Sequence, residues 1–157
     1  MGYWGWIVIA KGDEKLANFP SVAVDGAEPL DEYVRGQWRE IWLGTTEADP
    51  EPLEIATATD APAMAVYVAD EDCATLHAAS PSGQEWTGVF EEETAEEYGA
   101  VPEGYRREDA VAAALAWAAE AGLTADPAKT AAAFADGWYE DLLTAFGLPE
   151  GEPVENP

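Results

Sequence analysis

The chain has 157 residues, with 32 acidic side chains against 7 basic ones and a formal net charge of −25. A field of that sign repels phosphate backbones, whose capture needs lysine and arginine to displace counterions, and it is repelled by anionic membrane surfaces. Direct nucleic-acid binding and membrane attachment are therefore excluded first, and basic partners or cations are favoured.

The first element is a strand over about residues 3–10, rich in aromatic and β-branched side chains and closed by Gly12-Asp13. Residues 13–29 carry weak signals, with a short helix suggested near Lys15-Leu16-Ala17. Residues 37–43 alternate, with Trp38, Glu40 and Trp42 on one side and Arg39, Ile41 and Leu43 on the other, which predicts a second strand. Gly36 before it marks a turn, so Tyr33-Val34 reads as the other arm of a hairpin. Asp49-Pro50 pairs a capping acid with a proline at the first helical position, predicting a helix over residues 50–59 that stops before Pro62.

Three strands follow at hairpin spacing, over residues 63–69, 73–79 and 85–90, joined by Asp70-Glu71-Asp72 and Pro81-Ser82-Gly83. The period then changes. An acidic helix is predicted over residues 92–98, an alanine-rich one over 108–121 ending at Gly122, and a last one over 127–146 ending at Gly147. In both of the last two, a glycine followed by leucine suits a left-handed cap with an apolar contact back onto the helix. Strands come mainly first and helices last. The expected fold is α+β: an antiparallel sheet of about five strands covered on one face by helices. Residues 1–149 read as one domain and residues 150–157 as a flexible C-terminal tail.

The single cysteine, Cys73, cannot form an internal disulfide. The start Met1-Gly2-Tyr3-Trp4-Gly5-Trp6 lacks the basic region of a secretory signal, and no apolar run reaches the ~18 residues of a membrane span. A cytoplasmic location is the expectation.

Chemistry-bearing groups are few. Cys73 and His77 share a strand face, but four residues span about 13 Å on a strand, too far for two ligands of one ion. That distance also argues against a catalytic Cys73–His77 pair, and Ser80 lacks the flanking glycines of a nucleophile elbow. Asp70-Glu71-Asp72 lacks the central glycine of a calcium loop and reads as a solvated turn. No phosphate-cradling glycine loop or dinucleotide fingerprint is present, so no cofactor and no metal are expected.

Two features go beyond folding. Glu91, Glu92, Glu93, Glu96 and Glu97 form the densest charge block; they suit a solvated helix face or the contact surface of a basic partner. Trp4, Trp6, Trp38 and Trp42 lie on strands, where they serve either as core or as interface anchors. The favoured function is an acidic protein-binding domain that sequesters or inhibits a basic partner, as an antitoxin or immunity-type inhibitor or a nucleic-acid mimic does. The alternatives are a carboxylate-dependent enzyme, which needs acids converging in a pocket, and a structural or assembly protein.

Overall fold

The computed structural model describes residues 5–12, 29–43, 50–69 and 72–153. The strands are β1 (Gly5–Lys11), β2 (Pro29–Arg35), β3 (Trp38–Leu43), β4 (Ala63–Ala69), β5 (Cys73–Ala79), β6 (Glu85–Phe90) and β7 (Glu152–Pro153). The helices are α1 (Pro52–Thr59), α2 (Glu92–Glu97), α3 (Arg107–Glu120), α4 (Pro127–Asp136) and α5 (Tyr139–Ala145). All seven strands join one antiparallel sheet in the order β6-β5-β4-β1-β3-β2-β7. β1, read from Tyr3 in the sequence, is described from Gly5. The suggested helix near residue 15 lies outside the described residues, as does Asp49. The helix read from Pro50 begins instead at Pro52, with Glu51 at the cap position, because the following Glu-Pro pair sets the first helical φ two residues later.

Opposed residues in antiparallel strands share a face, so the register sorts the side chains. Ile7 and Ile9 lie opposite Val66 and Met64, which lie opposite Leu76 and Ala78. These six residues belong to the main core, together with Trp117, Phe134 and Leu142 from the last three helices and Phe146 at the cap of α5. The other face carries Val8, Ala10, Ala63 and Ala65, packed with Ile55 and Ala56 of α1. Helices therefore cover both faces, where the sequence suggested one. The reason is visible in β1 and β4: nearly every residue is buried, a pattern that requires cover above and below.

The helical caps follow local chemistry. Asp126 accepts a hydrogen bond from the Lys129 amide at 3.0 Å and Pro127 occupies the first turn of α4. Gly122 and Gly147 adopt φ of 78° and 82°, and the amides of Leu123 and Leu148 reach back to Ala118 and Leu143 at 2.8 and 3.1 Å. The Trp117 indole donates to the carbonyls of Ala63 and Ala79, tying α3 to neighbouring strands.

The last predicted helix is in fact two. At Gly137 the backbone becomes extended, and the Asp141 carboxylate accepts from the Trp138 amide at 2.8 Å to begin α5. A Cβ at Gly137 would lie 2.8 Å from Asp141 Oδ2 and 2.9 Å from Ala133 Cα, so the close turn needs glycine. Within the stretch read as a tail, Glu152–Pro153 form β7 beside Tyr33 and Val34, which closes the β2 edge at one point.

Cys73 is buried with Ala69, Val89 and Ala95, beneath α2. Burial pushes its thiol up, with Asp72 and Glu91 adding to the rise. Since the thiolate is the reactive form, native protein is expected to resist iodoacetamide at pH 8, with labelling appearing only as urea unfolds the chain. Stoichiometric labelling of the folded protein, measured by intact mass, would contradict this placement.

Candidate functional site

The ends of β1, β3 and β4 meet the start of α2 and the α4–α5 break around a cleft of about 690 Å³. Its inner wall is aromatic. Tyr139, 1% exposed, lies beneath half-buried Trp42 and Trp138. The Trp42 ring meets Tyr139 at 6.2 Å and 65°, and Trp138 meets it at 6.5 Å and 59°. Among the described residues its rim carries five carboxylates, from Asp72, Glu91, Asp136, Glu140 and Asp141. Among the described residues no lysine or arginine lines it.

Each acid reaches the rim by a different local route. Asp72 sits in the β4–β5 turn, where its carboxylate accepts from the Tyr98 hydroxyl at 2.7 Å. Glu91 stands in the left-handed region at φ 55°, ψ 57°, just before α2. A side chain there costs of order 1 kcal/mol or more, and such residues cluster at ligand sites. Asp136 is the last residue of α4. The exposed carbonyls at that end are already negative, so an acid there is unfavourable by roughly 0.3–1 kcal/mol. Glu140 and Asp141 open α5, with Asp141 also holding the turn at Trp138.

Behind the aromatic wall lies Glu40, 1% exposed on the helix-facing side of β3. Its Oε1 accepts from Arg35 Nε at 2.6 Å, and its Oε2 from Trp42 Nε1 at 2.6 Å and from the Tyr139 hydroxyl at 3.3 Å. Burial, reinforced by the Glu40 and Glu140 charges, raises the Tyr139 hydroxyl far above its ordinary value, so it stays a neutral donor.

Of the five acids singled out in the sequence, Glu91 opens on the cleft. Glu92 is half-buried and approaches Arg107 at 3.6 Å, while Glu93, Glu96 and Glu97 are exposed along α2. Trp38 is buried against Trp117, and half-buried Trp6 lies on the opposite sheet face beside Tyr67 and His77. Trp4 lies outside the described residues. Sequence reasoning did not single out Asp136, Trp138, Glu140 or Asp141 as a site, because it ran one helix through them. The available signal was Gly137 inside a helical run, with an acid three residues after Trp138 able to start a new helix.

The arrangement can attract and hold a cation. Five carboxylates supply long-range field and hydrogen-bond acceptors, and the two half-buried indoles supply faces for a cation–π contact. The arginines do not compete for that role. Each has an acid within reach: Arg35 with Glu40, Arg39 with Glu32, Arg106 with Glu108 and Arg107 with Glu92. Among the described residues, no group of three His, Cys, Asp or Glu side chains is placed to hold a metal ion. No helix among them is long and apolar enough to cross a membrane.

No family model, no curated protein and no solved structure matches this chain.

Proposed function

We propose that the chain is a binding domain that sequesters or inhibits a basic protein, anchoring a lysine or arginine side chain of that partner in the cleft. The observation that carries this reading is the convergence of five carboxylates on two half-buried indoles, with no basic residue among the described residues of the lining. A solvated acidic surface needs neither a cavity nor aromatic walls. An anchor site needs both: the aromatic wall excludes water from one side of the cation, and the rim steers it in. The net charge of −25 extends that steering over the rest of the molecule. Glu91 belongs to the anchor site in this reading, and Glu93, Glu96 and Glu97 to an outlying surface met by the partner's other charges.

The test is retention of basic proteins from the native host's lysate at low and high salt, repeated with two charge-matched variants. One carries Asp136→Lys and Glu140→Lys at the cleft; the other carries Glu93→Lys and Glu96→Lys on the outer side of α2. The expected result is one stoichiometric partner, released by salt. The cleft variant should lose it by about 100-fold or more, since like charges juxtaposed at an interface cost several kcal/mol. The outer variant should lose much less. Equal losses would mean that net charge alone does the binding, and no retained partner would end the proposal.

A further inference from the structure

We propose that Glu40, which does not line the cleft, is the positioning residue that fixes its aromatic wall; the inference rests on reading the cleft as a cation-binding site. Glu40 occupies a strand position facing the helices, with Ile9 and Tyr33 as its cross-strand neighbours. An apolar side chain would serve packing there at least as well, because a buried ion pair seldom outweighs the desolvation of its charges. An apolar side chain could not orient two rings. The Glu40 carboxylate does so by accepting from the Trp42 indole and the Tyr139 hydroxyl on the same oxygen. The first bond sets which edge of Trp42 points inward, and so which face it offers to the cleft. The terminal torsion of an indole is otherwise broad. The second bond holds Tyr139 in place beneath it.

The anchor is itself held. Arg35 Nε binds the other Glu40 oxygen, and Arg35 Nη1 donates to the Pro149 carbonyl at 3.1 Å. The segment after α5 packs closely on this hairpin: a Cβ at Gly36 would lie 3.3 Å from Pro149 Cγ, and one at Gly151 would lie 3.1 Å from Tyr33 Cβ. A guanidinium fixed from two sides fixes the carboxylate, and the carboxylate fixes the rings. Arg35 also neutralises Glu40, so this pair contributes orientation to the cleft while the rim acids contribute field.

That division can be tested without altering net charge. Arg35→Met combined with Glu40→Leu removes one charge of each sign and leaves apolar side chains in their place. The probe is a fluorescein-labelled hexa-arginine peptide, titrated at low salt. The second readout is the Trp42 indole N–H resonance and its exchange with solvent. The double variant removes the acceptor of the buried Tyr139 hydroxyl, so it is expected to unfold at a lower temperature than wild type and is compared where both are folded. There it should bind the peptide about tenfold more weakly and show a displaced, faster-exchanging Trp42 indole signal. Should it fail to fold, Tyr139→Phe removes one donor while keeping the ring. It is expected to weaken binding about threefold and to shift the same signal. Wild-type affinity in whichever of the two variants folds, or an unmoved Trp42 signal, overturns the role of Glu40 while leaving the cation site standing. A wild-type protein that does not bind the peptide overturns the cation-site reading itself, and the positioning role with it.

Discussion

Phe134→Ala is expected to lower the free energy of unfolding by about 3–5 kcal/mol, the range for removing a large buried aromatic ring. Phe134 is 1% exposed, stacks on Phe90 at 5.1 Å and 15°, and meets the Trp86 ring edge-on at 6.4 Å. It joins α4 to β6, so the loss falls on the seam between the helical layer and the sheet. Domains of this size are stable by roughly 5–15 kcal/mol, so the change is a large fraction of the whole. The neighbouring glycine makes the prediction sharper. A Cβ at Gly88 would lie 2.6 Å from Phe134 Cε1, closer than carbon atoms pack. Gly88→Ala alone should therefore cost about 1–3 kcal/mol through overpacking. With Phe134 already shortened that clash is gone, so the double variant should be less destabilised than the sum by about 0.5–3 kcal/mol. Urea unfolding followed by tryptophan fluorescence reads all three variants. Strict additivity would mean that the ring and the strand are not in the contact described.

The second large effect is on binding. Trp138→Ala is expected to weaken the captured partner by about 2 kcal/mol or more, or roughly 30-fold, which is the behaviour of a tryptophan anchor at an interface centre. Trp138 is half-buried at the cleft, placed by the break at Gly137, and its ring also meets Phe90 at 6.1 Å. Some stability is lost as well, so affinity must be compared at a temperature where both proteins are folded. Trp138→Phe keeps an aromatic face of lower cation affinity and should fall between wild type and alanine. If alanine and phenylalanine bind alike, the ring is core packing and the cleft is not an anchor site. Trp6→Ala, on the opposite sheet face, supplies the comparison, with unchanged affinity expected.

Much of the fold could be read residue by residue. β4, β5 and β6 match the predicted spans, because each is a short β-branched or alternating run bounded by a turn. α3 and the two glycine caps also stand where periodicity and turn chemistry placed them. The misreadings have two origins, one local and one tertiary. A single helix over residues 127–146 satisfied the apolar period, yet the Asp141–Trp138 bond and the crowding at Gly137 divide it. Covering helices were assigned to one face because the windows that define elements do not say which side of the sheet they return to. α1 packs on the opposite face from the last three helices.

The site was far less legible. Glu91 could be singled out only as one of a run of glutamates, Asp141 only as an acid able to start a helix, and nothing local distinguishes Asp136 or Glu140 among 32 acids. What the sequence by itself determined was the sign and size of the field, the apolar periods of most elements and the chemistry of their caps. These depend on composition or on neighbours a few residues apart. Only the tertiary structure decided that Trp42, Asp72, Glu91 and Trp138 share a cleft and that Glu40 lies behind its wall. The strand order β4-β1-β3 and the turn between α4 and α5 bring those residues together across long stretches of chain. Such convergence is set by how packed layers meet, and no short window of sequence contains it.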